Sequence, residues 1–244
     1  MASETKEKPQ KSRRGLLLGV GALAGVAWGW QRFGVGTPSI TFNDIEGLSG
    51  WRFATIGEVF ASGNASNAVF LGIGAADQPD PLPSADLEAA LFSDISGDPP
   101  IAMFHDVYCP YCAVLASRLI SMGAPVQWHE LPLLHPASEP AARAAIAAGL
   151  QGGYDAFQTQ LKSAPFQPSA GYITRLARNA GLDPDKLLAD MDIAPVTSRL
   201  STSERAAATL GIYGTPGLAI GKTVVVGNPS FEVLDTLIAD GRSR

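Results

Sequence analysis

The sequence is poor in cysteine, histidine and basic side chains, and these shortages exclude classes of function. Of its 244 residues, two are cysteine and three are histidine, which leaves few ligands for a structural zinc site. Acidic residues outnumber basic ones, 23 to 18, and residues 37–244 hold twenty-one of the acidic and twelve of the basic side chains. An acidic folded portion argues against nucleic-acid binding. We therefore expect no nucleic-acid partner.

The remaining composition is that of a globular protein with one large domain or two small ones. Hydrophobic residues make up 46% of the chain and charged residues 17%, which is typical of globular proteins. Short strands are predicted at 40–42, 51–54 and 67–73, and a helix at 84–92. No catalytic motif falls among these elements, so residues 37–97 are predicted to be an N-terminal extension.

The first 36 residues have the pattern of an export leader or a membrane anchor. Six Lys/Arg and two Asp/Glu give this segment a charge of +4, and Arg13 and Arg14 precede an apolar run of 15 residues from Leu16 to Trp30. A basic stretch before a short apolar run describes an export signal, and the paired arginines resemble a twin-arginine signal. The run is shorter than the about 20 residues of a spanning helix, and both cleavage and retention stay open. In either case the remainder of the chain is expected to cross the membrane.

The two cysteines form a single C-x-x-C, Cys109-Pro110-Tyr111-Cys112. An apolar segment at 101–105 predicts a buried strand before it, and helical spacing of apolar residues predicts a helix after it. A C-x-x-C between a strand and a helix is the sequence form of a thioredoxin-like redox site. Pro110 suits the first helical turn, which places Cys109 at or beside the N-cap. There the helix dipole and unpaired N–H groups lower a thiol pKa.

This placement gives the two sulfurs different roles. We expect Cys109 to be the exposed nucleophile and Cys112 to be the resolving thiol that releases the mixed disulfide. Pro110 and Tyr111 are expected to tune the reduction potential. A purely structural disulfide is a weak alternative, because closing so short a loop constrains the unfolded chain little. A metal site needs about two more ligands, for which the sequence offers His105, His129 and His135.

The stretch Phe104-His105-Asp106-Val107-Tyr108-Cys109-Pro110-Tyr111-Cys112 resembles the active site of the DsbA-like thiol:disulfide oxidoreductases of bacterial envelopes. The resemblance implies an α/β, thioredoxin-like fold at 98–244 with an inserted helical subdomain at about 137–210, preceded by the N-terminal extension. One position departs from the family. Thioredoxins and some DsbA-like proteins carry a buried acid six residues before the first cysteine, where this sequence has Met103. The candidates for a substitute proton relay are Asp106, Glu130 and His135.

Two further features match the family. Helices are predicted between two strands of one sheet, where a minimal thioredoxin fold has a single helix, at 138–150, 154–162, 169–180, 184–191 and 195–210. Downstream, Thr215-Pro216 precedes a predicted hairpin with a two-residue glycine turn. In the family a proline at this place is cis and lies against the active-site disulfide, so the resemblance assigns Thr215 and Pro216 to substrate docking. Asn228 is the predicted N-cap of a last helix that begins at Pro229.

The function that the resemblance implies is thiol:disulfide exchange in the bacterial envelope, where disulfides persist. The favoured hypothesis is a dithiol oxidase that forms disulfides in exported, cysteine-containing proteins, with no bound cofactor and no metal. The family implies re-oxidation by a membrane quinone-linked thiol oxidase and a location in the periplasm or at the outer face of the inner membrane. Two alternatives stay open. One is a disulfide isomerase or reductase with the same motif, and the other is a non-catalytic module that binds a metal such as copper through both thiolates and a histidine.

Overall fold

The structure, a computed structural model, describes residues 39–56, 79–162 and 169–243. The predicted leader at 1–36 and the predicted strand at 67–73 lie outside these ranges. The elements run in the order β1 (Ile40–Asp44), β2 (Arg52–Ile56), α1 (Ser84–Phe92), β3 (Ile101–His105), α2 (Pro110–Ser121), β4 (Val126–Glu130), α3 (Ser138–Gly149), α4 (Tyr154–Lys162), α5 (Ala170–Asn179), α6 (Pro184–Asp190), α7 (Ala194–Thr209), β5 (Gly217–Ile220), β6 (Thr223–Val226) and α8 (Phe231–Arg242). Among these helices, none combines the length and the apolar character needed to cross a bilayer.

Six strands of the described ranges form one mixed sheet in the order β1-β2-β6-β5-β3-β4. β3 pairs in parallel with β4 and antiparallel with β5. The hairpin of β5 and β6 is continued by β2, which joins β6 in parallel, and by β1, which is antiparallel to β2. All five residues of β3 are buried, as expected for an apolar strand covered on both faces. The cysteine motif therefore begins just beyond the carboxyl end of a fully buried strand.

The two faces of the sheet pack against different helices. Ile101 and Met103 of β3 belong to an apolar cluster with residues of α2 and α8. Ala102 and Phe104 point to the opposite face, where they pack with residues of α1 and α7. This division follows from the alternation of side chains along a strand. The cysteine-bearing helix α2 is thus held against the centre of the sheet.

Helices α3 to α7 occupy the chain between β4 and β5. Their core is built around α3, an alanine-rich helix in which six alanines are buried. Phe157 and Leu161 of α4 and Leu176 of α5 pack into the same cluster. The predicted fold class, an α/β sheet with an inserted helical subdomain, is confirmed.

Candidate active site

Cys109 and Cys112 lie at the start of α2. Cys109 is the N-cap and Pro110 occupies the first helical position, where its missing N–H leaves no bond unmade. The N–H of Cys109 donates to the Asp106 carbonyl at 3.0 Å, and the N–H of Cys112 donates to the Cys109 carbonyl at 3.1 Å. Both cysteines are free thiols, so this is the dithiol form of the pair. Tyr111, between them, is 61% exposed.

The prediction of an exposed Cys109 is wrong, because the residue is only 4% accessible, as is Cys112. The loop before β5 covers the motif and brings the Thr215 carbonyl within 3.3 Å of the Cys109 Sγ, which donates to it. Both sulfurs also belong to the apolar cluster of β3, α2 and α8. The spacing of the motif could not indicate this cover, since the covering residue lies 106 positions further along the chain.

The two thiols differ in acidity. Hydrogen bonding from the Cys112 thiol is the largest of the causes that lower the pKa of Cys109 to about 6, with smaller contributions from Thr215 and from the N–H groups of Cys112 and Tyr111. Burial acts against these hydrogen bonds. Hydrogen bonding to Cys109, followed by burial, raises the pKa of Cys112 far above the ordinary thiol range. At neutral pH the pair is therefore a Cys109 thiolate beside a Cys112 thiol.

Thr215 and Pro216 lie in the loop that precedes β5, and the Thr215 carbonyl contacts Cys109. The peptide bond between them is cis. The Pro216 carbonyl accepts from the Gly227 N–H at 2.8 Å, which ties this loop to the end of β6. The Thr215 hydroxyl oxygen is buried and has no hydrogen-bond partner among the described residues, so its proton is available to an ionised Cys109. The structure thus brings the predicted docking residue Thr215 to Cys109, with Pro216 next to it in the chain.

Asp106 joins the cysteine loop to the loop that follows β4. One carboxylate oxygen accepts from the Tyr108 N–H at 2.8 Å and from the Ser138 hydroxyl at 2.9 Å. The other accepts from the N–H groups of Leu133 and Leu134 at 2.8 and 2.9 Å. With Asp106 only 2% exposed, these four hydrogen bonds compensate for the burial of its carboxylate. Their effect is to fix the approach of two loops to the motif.

His135 lies against Tyr108, the residue that precedes Cys109. Its ring stacks on Tyr108 with the ring centroids 4.5 Å apart, and its Nδ1 accepts from the Ala137 N–H at 3.0 Å. In the neutral ring the proton therefore sits on Nε2. His135 is oriented by its own loop and reaches the motif through the Tyr108 ring.

Glu130, the remaining relay candidate, sits in a buried polar cluster with His105, Tyr154 and Gln158. The register of β3 and β4 places Glu130 opposite His105. The Glu130 Oε1 accepts from the Tyr154 hydroxyl at 2.7 Å and from the Gln158 Nε2 at 2.6 Å. The His105 Nε2 lies 2.9 Å from the Tyr154 Oη and 3.5 Å from the Glu130 Oε1. Burial raises the pKa of Glu130 to about 8 and lowers that of His105 to about 3, so this last contact joins two mostly neutral groups at pH 7.

A cavity of about 20 Å³ separates this polar cluster from the sulfurs. Its walls include Met103, His105, Cys109, Cys112, Gln158 and Lys162. The volume is sufficient for one water molecule, and the Gln158 Oε1 is buried with no hydrogen-bond partner in the described ranges. Burial lowers the pKa of Lys162, and the nearby Glu130 is the first of the groups that oppose this effect.

The polar residues of α4 were missed by the sequence reasoning. Tyr154, Gln158 and Lys162 lie in the inserted subdomain and match no motif. A usable signal was their spacing at i, i+4 and i+8, which places three polar side chains on one face of a helix. Nothing in that pattern indicates which neighbouring element the face contacts.

Within the described ranges, no group of three or more His, Cys, Asp or Glu side chains is arranged to hold a metal ion. His129 instead has hydrogen-bond partners on each ring nitrogen, with the Ser203 hydroxyl and the Leu91 carbonyl each 3.1 Å away. His135 is engaged by Ala137, and His105 by Tyr154.

The chain is similar to known proteins in sequence and in fold. A family model described as the DSBA-like thioredoxin domain matches residues 100–239. A thioredoxin-like oxidoreductase from Silicibacter pomeroyi is 30% identical, with a TM-score of 0.58 over 64% of this chain and 98% of that one. A periplasmic thioredoxin-like protein from Salmonella enterica shares the fold at 23% identity and a TM-score of 0.53, over 65% and 97% of the two chains. The thiol-disulfide exchange protein alpha-DsbA2 from Wolbachia pipientis also shares the fold. It is 20% identical, with a TM-score of 0.55 over 64% of this chain and 92% of that one. A comparison with curated protein sequences gave no match.

Proposed function

The chain belongs to the DSBA-like thioredoxin domain family and is a thiol:disulfide oxidoreductase, and we propose that it acts as a dithiol oxidase which forms disulfides in exported proteins. The observation that carries this proposal is the unequal acidity of the two thiols, with a pKa of about 6 for Cys109 and a raised pKa for Cys112. A stabilised Cys109 thiolate lowers the free energy of the dithiol form relative to the disulfide. The disulfide is therefore the stronger oxidant.

The reaction consists of two exchanges. In the first, a substrate thiolate attacks the Cys109 Sγ of the Cys109–Cys112 disulfide; the Cys109–substrate bond forms, and Cys112 leaves as a thiolate that takes up a proton. In the second, another substrate thiolate attacks the substrate sulfur of this mixed disulfide, and Cys109 leaves. Two electrons pass from the substrate dithiol to the protein, which ends with both thiols free. The low pKa of Cys109 makes it the better leaving group in this second exchange.

Thr215 and Pro216 dock the substrate chain beside the sulfur. While Cys109 is a protonated thiol, the Thr215 carbonyl accepts a hydrogen bond from it. A Cys109 held in a disulfide has no proton to donate, so the carbonyl is then available to an N–H of an extended substrate segment. Pro216 has no backbone N–H, so position 216 presents no donor beside this acceptor. Tyr111 contributes its N–H to the low pKa of Cys109, and Pro110 fixes the turn that aims this N–H at the sulfur.

The proposed location is the periplasm or the outer face of the inner membrane. It rests on the leader predicted at 1–36 and on the similarity to a protein described as periplasmic. Re-oxidation of the pair requires an acceptor for two electrons, and a membrane quinone-linked thiol oxidase is the proposed partner. The scheme includes no bound cofactor, because the cysteine pair itself stores the two electrons.

Reduction potential distinguishes the oxidase from the isomerase or reductase alternative, since both use the same C-x-x-C. The measurement is the fraction of disulfide at equilibrium with defined ratios of reduced and oxidised glutathione. A potential near about −120 mV supports the oxidase, and one near about −270 mV assigns a reductase role instead.

The direct test is oxidation of a reduced two-cysteine peptide by the disulfide form. Cys109→Ser is expected to abolish peptide oxidation. Cys112→Ser, first converted by oxidised glutathione to a Cys109–glutathione mixed disulfide, is expected to pass to a Cys109–peptide mixed disulfide as the peptide thiolate displaces glutathione. Ser121→Ala, an exposed position at the far end of the same helix, is the matched control and keeps wild-type activity. Peptide oxidation that survives in Cys109→Ser contradicts the assignment.

A further inference from the structure

Thiol exchange moves a proton at Cys112 as well as electrons, and position 103 offers no group that could carry it. Met103 is fully buried, and its thioether is at most a weak hydrogen-bond acceptor. Cys112 itself is 4% exposed, so bulk water has little access to its sulfur. A thiolate leaving the disulfide at this position needs a buried proton donor, and a thiol that attacks from it needs a buried acceptor.

We propose that Glu130, Tyr154 and His105 form a hydrogen-bonded proton wire that ends at the cavity beside Cys112. The inference rests on the proposed thiol exchange and adds its route for the proton. The wire has two direct hydrogen bonds, 2.7 Å from the Tyr154 Oη to the Glu130 Oε1 and 2.9 Å from the Tyr154 Oη to the His105 Nε2. His105 and Cys112 both line the cavity of about 20 Å³, in which one water molecule bridges the remaining gap.

The wire transfers one proton when its hydrogen bonds reverse direction. With Glu130 protonated, its O–H donates to Tyr154, the Tyr154 O–H donates to the His105 Nε2, and the imidazole proton is on Nδ1. As Cys112 leaves as a thiolate, the cavity water gives it a proton and regains one from Nδ1. The Tyr154 proton moves to Nε2, and the Glu130 proton moves to Tyr154. The products are a Cys112 thiol and a Glu130 carboxylate, with Tyr154 and His105 neutral again.

The protonation states of the three residues agree with this direction of transfer. The Glu130 carboxyl, with a pKa of about 8, is roughly nine-tenths protonated at pH 7 and is a ready donor. His105, with a pKa lowered to about 3 by burial, stays neutral and so keeps one donor and one acceptor nitrogen. Burial also raises the pKa of Tyr154, so its hydroxyl accepts one proton as it donates another and does not stay ionised.

The surrounding side chains fix the wire and set its charge. Gln158 donates to the Glu130 Oε1 at 2.6 Å and contacts the Tyr154 Oη at 3.1 Å, and the Trp128 ring meets the His105 ring edge-on with centroids 5.6 Å apart. Charged and titratable side chains on the neighbouring elements shift the pKa values of Glu130 and His105. Asp106 raises the pKa of Glu130 and Lys162 lowers it, while His129 and Lys162 lower that of His105; Cys112 lies across the cavity.

The test measures how fast Cys112 resolves a Cys109–glutathione mixed disulfide in a single turnover. The pH range is centred on 8, where Glu130 titrates. In the wild type the rate is expected to rise to a plateau through an inflection near pH 8, as Glu130 becomes a carboxylate that accepts the Cys112 proton. Glu130→Gln keeps an acceptor for Tyr154 but cannot take up the proton. Its rate is expected to fall about 100-fold, the usual contribution of a general acid or base, and to lose the inflection.

Tyr154→Phe is the second variant, since it interrupts the wire while Glu130 remains titratable, and we expect the same fall in rate. Thr159→Ala is the matched control. Thr159 follows Gln158 on α4, is exposed, and its hydroxyl donates to the Asp155 carbonyl at 2.9 Å within the same helix. Its substitution changes the helix that carries Tyr154 without touching the wire, and it should keep the rate and the inflection.

The outcomes separate the wire from the proposed function. Wild-type rates and an unchanged inflection in Glu130→Gln overturn the wire, and so does a wild-type rate in Tyr154→Phe. A fall in rate in both variants, with loss of the inflection in Glu130→Gln and neither change in Thr159→Ala, supports it. The Cys112→Ser variant tests the premise. If the Cys109 thiolate does not displace reduced glutathione from oxidised glutathione to form the adduct, or if the adduct is released as fast in Cys112→Ser as in the wild type, the proposal of thiol exchange at this motif is wrong, whatever the Glu130 variants do.

Discussion

Cys112→Ala is expected to raise the pKa of Cys109 from about 6 toward the ordinary thiol range. The hydrogen bond from the Cys112 thiol is the largest cause of the low pKa, and the methyl group of alanine cannot donate. A hydrogen bond to a charged acceptor contributes about 1.5–3 kcal/mol, and one pKa unit corresponds to about 1.4 kcal/mol. The Cys109 thiol of the variant should therefore titrate roughly one to two pH units higher than in the wild type.

The low pKa of Cys109 also contributes to the oxidising power of the pair. A thiol that ionises at about 6 instead of 9.0 stabilises the folded dithiol by about 1.4 kcal/mol for each pH unit between these values. At pH 7, one unit above the lower value, the stabilisation is about 1.4 kcal/mol. For a two-electron couple this raises the reduction potential by about 30 mV.

Thiolate absorbance in the ultraviolet gives the Cys109 pKa directly, because Cys112→Ala leaves Cys109 as the only cysteine of the chain. Cys112→Ser is the matched control, since it keeps an O–H donor in the same place and should leave the Cys109 pKa closer to 6. If the alanine and serine variants both titrate near the wild-type value, the N–H groups at the start of α2 set the acidity by themselves. The assignment of the main effect to the Cys112 thiol is then refuted.

Three further outcomes follow from individual contacts. Thr215→Val removes a hydroxyl that lowers the pKa of Cys109, so the reduction potential measured against glutathione should fall, by at most about 30 mV at pH 7. Asp106→Asn turns an oxygen that accepts two hydrogen bonds into an N–H₂ group facing donors such as the N–H of Leu133, and should lower the free energy of unfolding in urea by about 1–3 kcal/mol. The free energy of unfolding of the dithiol form should rise relative to that of the disulfide form as pH rises from about 6 to 9.0. The reason is that the folded state releases the Cys109 proton at lower pH than the unfolded state does. If the difference between the two unfolding free energies stays constant with pH, the low pKa is contradicted.

Elements with strong local patterns could be predicted from the sequence nearly residue by residue. The apolar run at 101–105 and the helical pattern at 154–162 have the bounds of β3 and α4. The prediction that the last helix begins at Pro229 with Asn228 as its N-cap is wrong. α8 begins at Phe231, with Ser230 as its N-cap and the Ser230 hydroxyl accepting from the Val233 N–H at 3.4 Å. The Asn228 side chain instead accepts from the Arg118 guanidinium of α2 at 2.6 Å, a contact between distant parts of the chain that local sequence does not indicate.

The chemistry of the motif was readable from two cysteines and their flanking elements, but its electrostatics were not. Helix position alone predicted a low Cys109 pKa, whereas the larger cause is a side-chain hydrogen bond that depends on the closed arrangement of both sulfurs. Met103, at the position of the buried acid, indicated that any proton relay to Cys112 must use other residues. The residues around Glu130 come from a neighbouring strand and from the inserted subdomain, and their contacts span 24 to 49 positions of the chain. The spacing of the α4 residues placed them on one helix face, but no pattern in the sequence indicated that this face contacts Glu130 and His105.

The coupling between the two sulfurs gives the exchange its order. The hydrogen bond to Cys109 is the first cause of the raised pKa of Cys112, so Cys112 is a poor nucleophile while Cys109 is a free thiolate. Once Cys109 enters a mixed disulfide its sulfur carries no charge, and this cause is removed. The pKa of Cys112 must then fall toward the value set by burial. This brings it closer to the pKa of about 8 of Glu130 and lowers the free energy needed to transfer the proton from Cys112 to Glu130. The resolving thiol therefore becomes reactive when there is a mixed disulfide to resolve, and the contact that holds Cys109 ionised before the attack restrains Cys112 until the attack has occurred.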